Sequence, residues 1–518
     1  MRVWRAAVFA ALLTFTPLAL RAGMIELHSP DGGLAISGDL LGFDGSYYRL
    51  QTSHGEVTIR AEGLRCVGAD CPALLGHVPE IHIYGAAGIG EGLLPALIQS
   101  YARESNKRVM HAVSADGGIM AYELRDESGQ KSLFHIYPGT SDAGIEALIA
   151  GKADMAMSLR KITAQEIARA RAAGRGDMTS PHRVRLLALD AFVVISAEQN
   201  KSLQLSLETI AAILSGQISN WSDLGGTDAP ISLHLHQTET ALILRHMQAS
   251  LGEEALQLPL TGHITHRSNR ALSLAVAEDP FALGITRVSE RAEARALVIG
   301  GACGFGLSAT RLSIKNEDYP LDAPFLIYLP ARRLPEMGRN FLSYLQSPEA
   351  QTVIRRAGFV DQTPQEQGLE AQGARLLQAI RVADQAGGLT QLQQMTQDLS
   401  AYKRLSMSFR FEPETTRLDA QSEANARRLA QALRDGTYDG RALRFVGFSD
   451  GQGTARANLE IAQKRAKTVQ GAVMALVGSE ELSSVKISTS AYGEALPMAC
   501  DDSAWEQRIN RRVEVWIQ

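Results

Sequence analysis

Cysteine is scarce in this chain: four among 518 residues, at positions 66, 71, 303 and 500. Cys66 and Cys71 have no second Cys or His pair at zinc spacing, which argues against a cysteine-built metal site. Long apolar runs are equally missing. Beyond the N-terminal segment no stretch approaches the ~20 uninterrupted apolar residues that a membrane helix needs. Nor does one sign of charge dominate. The 52 Lys and Arg face 56 Asp and Glu, a net charge of -4, which argues against an extended nucleic-acid surface. The motifs of common enzymes are absent too: no Ser-His-Asp order, no His-Glu zinc motif and no nucleotide loop ending in Lys-Ser/Thr. The expectation is a non-enzyme with no catalytic residues, no cofactor and no metal.

What is present starts at the N-terminus. "MRVWR" is short and basic, "AAVFAALLTFTPLAL" is apolar, and "RAGM" offers small residues for cleavage after Ala22 or Gly23. That three-part pattern reads as a secretory signal over residues 1–23, and a buried N-terminal helix is the alternative. An exported chain meets an oxidising compartment, where an even number of cysteines favours disulfides, with three connectivities open. Cys66 and Cys71 enclose the turn-like "VGAD", so a local bridge is the easiest pairing. That leaves Cys303 with Cys500, a bridge between distant parts of the chain.

The length suits about three domains at ~150 residues each. Residues 24–79 alternate apolar and polar positions between Asp-Gly and His-Gly turns, the pattern of a small β domain of four or five strands. From 80 to 362, strands alternate with amphipathic helices, as in an α/β sheet. Residues 363–404 are rich in Gln and Ala, with Leu376, Leu377 and Ile380 on one helical face and a break at Gly387-Gly388. They read as a partly helical linker. Residues 405–518 form a final α+β unit.

In that unit the strand "RALRFVGFSD" precedes the long helix "GTARANLEIAQKRAKTVQGAVMALVG". Leu459, Ala462, Ala466, Val469, Val473 and Leu476 recur at gaps of three and four and predict a buried stripe. Asn458 and Arg465 are two turns apart on a face beside it, and Asp450 lies where the strand runs out. A carboxylate, an amide and a guanidinium on one rim suit a zwitterionic ligand. The plain alternative is that Asp450 caps the helix and Arg465 is a solvated surface residue. With "AYGEALPMACDDS" and "NRRVEVWI", this stretch resembles the OmpA-like peptidoglycan-binding domain. The resemblance implies that Asp450, Asn458 and Arg465 grip the diaminopimelate of a peptidoglycan stem peptide. Phe448 and Ser449 depart from the family's usual His-Thr, and "EQRINRR" lacks its Gly-Arg.

Residues 80–362 resemble the phosphate-type substrate-binding proteins of ABC transporters, most specifically in "GIEALIAGKADMAMSLRKITAQE", "LSGQISNWSDLGG" and "FLSYLQSPEAQTVIRRAGFVDQ". The resemblance implies two α/β lobes joined by crossing strands and closing on an oxyanion. The implied donors are the turn Gly85–Gly90, with Gly88 and Ile89 at its centre, then Thr140, Ser141, Ser158, Arg160, Thr238 and Thr240. Arg160 is the only cation assignable to that set. His234 stands where the family has an arginine, and Glu239 must face solvent if an anion binds.

These readings together describe an exported, periplasmic protein attached to peptidoglycan, a solute-binding protein for phosphate or a similar small anion with an ABC permease as partner. The alternative is a structural or sensory envelope protein whose α/β domain has lost its ligand and acts as a docking surface.

Overall fold

The computed structural model describes residues 24–518, except 73–76, 114–117, 181, 201–202, 253–261, 302, 384–387, 413–414 and 479–483. The secretory segment 1–23 and Gly387 of the expected linker break lie outside the described residues.

Met24–Val67 forms an antiparallel sheet of five strands around Ile25, Leu27, Tyr48 and Leu50. Cys66 and Cys71 are bridged just beyond its last strand. Next comes a seven-stranded mixed sheet, ordered 184–188, 325–328, 155–158, 80–86, 131–139, 120–125 and 108–113. A second lobe is built on a five-stranded sheet ordered 263–266, 232–236, 282–287, 192–196 and 295–296. The chain passes between the lobes twice. The two crossings are tied by Phe192 N–H to Leu321 O at 2.9 Å and Ala323 N–H to Asp190 O at 2.8 Å. This is the expected two-lobed α/β arrangement.

One close approach shapes the cleft end of the first lobe. Gly85, at φ +127°, ends the strand Glu80–Ala86, and a Cβ there would lie 2.1 Å from the Met157 carbonyl oxygen. Only glycine lets the following turn lie against that neighbouring strand.

The C-terminal sheet runs 366–367, 403–409, 513–517, 442–447 and 486–491. The helices Ala420–Arg434 and Ala455–Val477 lie on the side that buries Leu405, Phe409, Leu443 and Phe445. The long helix starts with Thr454 accepting from Ala457 N–H and stops at Gly478, φ +86°. Of the expected stripe, Ala462, Ala466, Val469 and Val473 are buried together with Val477, while Leu459 and Leu476 are exposed. The stripe turns about the helix axis over six turns, so its end members slide off the sheet.

Residues 363–404 differ from the expected spacer. Glu366–Gln367 pairs with the strand Lys403–Phe409 at the sheet edge. The helices Gly373–Ala383 and Leu389–Asp398 place Ala379, Leu392 and Met395 on Val446, Phe448 and Trp516. They form the second layer of the C-terminal sheet, which would otherwise leave an apolar face in water. The buried helical face is carried by Ala379 and Ala383, whereas Leu377 and Ile380 are exposed.

Candidate functional site

The rim at the C-terminal unit is set by another close approach. A Cβ at Gly447 would fall 2.0 Å from the Ala462 carbonyl oxygen, so the long helix rests directly on the strand. Asp450, three residues beyond Gly447, is thereby brought to a cavity of about 940 Å³ that Asn458, Ile461, Arg465, Arg508 and Arg511 also line. Asp450 Oδ2 accepts from Arg511 Nη1 at 2.6 Å. Asn458 is buried and donates Nδ2–H to Glu494 Oε2 at 3.2 Å. Arg465 carries no hydrogen bond or ion pair among the described residues. Desolvation, then the neighbouring Arg511, pushes its pKa down, with Asp450 opposing them. A desolvated guanidinium without a carboxylate partner is a prepared acceptor for one. Thr454, not Asp450, caps the helix.

Arg511 was missed by sequence reasoning, although it stands in the quoted "NRR" run. A strand-flanking pair of arginines gives no sign of which one turns toward Asp450, 61 positions away.

The hydroxyl groups expected as anion donors in the α/β unit make hydrogen bonds inside the protein, Thr140 and Ser141 as acceptors. Thr140 caps the helix Ser141–Ile149 by accepting from Ala143 N–H at 3.1 Å. Ser141 Oγ accepts from Leu159 N–H at 3.0 Å. Ser158 Oγ donates to Arg160 O at 2.7 Å. Thr240 donates to His236 O at 2.6 Å, and Thr238 Oγ1 lies 3.3 Å from His236 Nδ1. Ile89 buries its side chain in the first lobe, and its backbone N–H, like that of Gly88, belongs to the short helix Ala87–Gly90.

Arg160 corrects the expectation of a free cation. Its guanidinium meets Asp142 Oδ1 at 2.5 Å and Glu166 Oε1 at 2.6 Å. Desolvation works to lower its pKa, but the hydrogen bonds it donates to Glu166 and Asp142 outweigh that and hold it raised. The two carboxylates already neutralise this charge. His234 supplies none either: desolvation, then His266, lowers its pKa, and the two rings stack with centroids 5.0 Å apart.

The cation at the lobe boundary is Arg287, the last residue of the strand Ala282–Arg287. It is 2% exposed and lies 5.4 Å from the ring centroids of both Phe192 and Phe325. A Cβ on Gly88 would stand 3.7 Å from its Cζ and Nη1. Glu239, which would have to face solvent if an anion bound here, accepts from Arg287 Nε at 2.8 and 3.0 Å through its two oxygens. Asn269 Nδ2 donates to the same carboxylate at 3.0 Å. Desolvation works to raise the Glu239 pKa, but Arg287 and these hydrogen bonds keep it lowered. Among the described residues Arg287 Nη1 has no hydrogen-bond partner. Nη2 is 2.7 Å from Glu239 Oε1 but off hydrogen-bond alignment, so the contact there is one of charge. A basic residue closing the apolar strand "FALGITR" was the available sequence signal.

The second disulfide joins Cys303 to Cys500 and so links the second lobe to the C-terminal unit. Beside it, Arg410 donates to Asn316 O at 2.5 Å and to Asp318 Oδ1 at 3.1 Å. Arg404 reaches Asp318 Oδ2 at 3.3 Å. Among the described residues, no helix is long and apolar enough to cross a membrane.

Comparison with known proteins follows the same division. Residues 112–349 match the PBP superfamily domain, and residues 410–511 match the OmpA family. The phosphate-binding protein PstS of Borreliella burgdorferi is 19% identical over 238 residues, 42% of this chain and 76% of that protein. Among solved structures, an ABC-type phosphate transport receptor from Vibrio cholerae is 20% identical with a TM-score of 0.41, covering 54% of this chain and 99% of its own. The peptidoglycan-associated lipoprotein of Burkholderia pseudomallei is 27% identical with a TM-score of 0.18, covering 21% of this chain and 89% of its own. The chain joins a two-lobed periplasmic-binding-protein-type domain to a C-terminal OmpA-type domain, and it is an extracytoplasmic, envelope-associated protein.

Proposed function

We propose that this protein is held in the periplasm by non-covalent binding of peptidoglycan through its C-terminal unit. The observation that carries this is Arg465, half-buried and unpaired among the described residues, in one cavity with Asp450. A diaminopimelate group is a zwitterion: its carboxylate suits Arg465, its ammonium suits Asp450, and the Asn458 amide adds a polar rim. Asp450 keeps Arg511 as a neighbour, so the ammonium joins an ion pair already formed. Retention of the mature chain on purified sacculi tests the proposal. Release by Asp450→Ala and by Arg465→Ala is the expected result, and parent-like retention of both variants removes it.

For the α/β unit, the geometry favours a docking or sensory role over carriage of phosphate to an ABC permease. The observation behind this reading is Glu239. Its carboxylate takes the Arg287 charge that an oxyanion would otherwise use, and Arg160 is likewise neutralised within the protein. A bound phosphate would place its negative charge beside Glu239. Wall attachment also restricts the diffusion to a permease that a carrier relies on. Calorimetric titration with phosphate and related oxyanions separates the two roles. Heat saturating with one anion supports the carrier, and silence across the series supports docking.

A further inference from the structure

We propose that the groove between the α/β lobes and the C-terminal unit is a second peptidoglycan subsite, taking the stem peptide beyond the diaminopimelate held at Asp450 and Arg465. The inference rests on the anchoring reading above and extends it to residues of the other domain.

The groove encloses about 760 Å³ and shares Arg410, Phe411, Glu412 and Arg508 with the Asp450–Arg465 cavity. One wall of the pocket is therefore the entrance to the groove. Each space is of the size that takes a drug-sized ligand, about 300–1,000 Å³. A single diaminopimelate group fills only part of the first.

The pairing of charges along the path is incomplete. Arg508 lines both spaces and, among the described residues, has no hydrogen bond or ion pair. Across the groove, the Asp322 carboxylate is likewise without a hydrogen bond or ion pair among the described residues. Asp322 belongs to the crossing between the lobes, where its backbone bridges Ala191. Glu317 lines the same groove with its Oε1 buried and without a hydrogen-bond partner among the described residues, and burial, then the neighbouring Asp419, pushes its pKa well up and so favours the uncharged acid. Lys161 reaches across from the first lobe to Glu412 at 3.6 Å and Asp419 at 3.8 Å, and its side chain is 56% exposed. Contacts that long on an exposed lysine are readily exchanged for a ligand carboxylate.

Beyond its diaminopimelate a stem peptide offers backbone amides and further carboxylates. Arg508 can take a carboxylate in bidentate fashion, and Lys161 offers a second point charge. Asp322 can accept a charge-assisted hydrogen bond from a backbone N–H of the peptide. The groove is also a standing feature of the fold. Cys303–Cys500 and the buried Arg410–Asp318 pair hold its two walls together, so a ligand meets a preformed site and ordering costs are small.

The test compares two probes on the full mature chain, free meso-diaminopimelate and a tetrapeptide muropeptide, in the parent and in a Lys161→Ala/Asp322→Asn double variant of unchanged melting temperature. The parent is expected to bind the muropeptide at least about tenfold more tightly than the free amino acid, a difference of about 1.4 kcal/mol. In the double variant that preference should collapse toward equality, and Arg508→Ala should narrow it as well. Equal affinities of the parent for both probes, or a preference that survives in the double variant, would overturn the subsite while leaving the anchor intact. If the parent binds neither probe, the anchoring reading fails and the subsite fails with it.

Discussion

Glu239 and Arg287 form a closed ion pair at the boundary between the two lobes, with both carboxylate oxygens within 3.0 Å of Arg287 Nε. The guanidinium is almost wholly shielded from water by Phe192, Phe325 and the Gly88 turn. The charge of Arg287 is thus met by a carboxylate of the chain itself.

Removing that carboxylate should expose the underlying capacity. Glu239→Gln takes from the buried Arg287 its hydrogen-bonded carboxylate and leaves only the more distant charges of Asp190 and Glu290, so it is expected to lower stability by about 3 kcal/mol. Added phosphate should restore part of the loss by neutralising Arg287, raising the melting temperature of the variant but not of the parent. Differential scanning fluorimetry with and without phosphate reads both effects. A variant as stable as the parent, or a parent stabilised equally by phosphate, contradicts this neutralisation of Arg287 by Glu239.

Arg465 should dominate wall binding. A lost charge-assisted contact is worth about 1.5–3 kcal/mol, or about ten- to a hundredfold in affinity. Arg465→Lys keeps the charge but loses the bidentate fork, and it is expected to fall between the parent and Arg465→Ala. Co-sedimentation with sacculi gives the order. Identical behaviour of Lys and Ala would mean that charge contributes nothing at this position.

The Cys303–Cys500 bridge closes a sequence separation of 197 residues. Cross-links over long loops stabilise by about 4–5 kcal/mol on the chain-entropy account. Cys303→Ser/Cys500→Ser should therefore uncouple the C-terminal unit from the second lobe and split one calorimetric transition into two. A single unshifted transition would show that Arg404, Arg410 and Asp318 hold the interface without it.

Acid should weaken the C-terminal sheet. Glu514 is wholly buried with Arg375, Arg404 and Arg512. Desolvation works to raise its pKa, but those three arginines hold it far below the ordinary value of 4.5. Because the folded pKa is depressed, the carboxylate's contribution is fully present above the unfolded value and is lost progressively as pH falls below about 4.5. Glu514→Gln should remove much of that acid dependence and cost about 3–5 kcal/mol at neutral pH, since Arg375 and Arg512 lose their paired carboxylate and Arg404 is left with Asp318 alone. Urea melts at pH 7 and pH 4 measure both. Parallel pH dependence in parent and variant would rule out Glu514 as the responsible group.

The legible features were those carried by neighbours in sequence. The strand-turn-helix alternation of the α/β unit and the Ala462–Val473 stripe follow local periodicity, and that periodicity is the same in isolation as in the fold. The 363–404 stretch was misread because its apolar positions are sparse and small. Ala379 and Ala383 look like composition bias until Trp516 and Phe448 are placed beneath that layer.

By itself the sequence determined the element types, the two family-like halves and the bridge Cys66–Cys71, because each depends on residues a few positions apart. The tertiary structure decided where each charge finds its partner. Arg287 is 48 positions from Glu239, Arg160 is 18 from Asp142, and Arg511 is 61 from Asp450. Coulomb attraction acts through space and is strong only where water is excluded. Neither distance nor exclusion is written in local pattern, so which cations remain available to a ligand is settled only when the lobes and the C-terminal sheet have packed together.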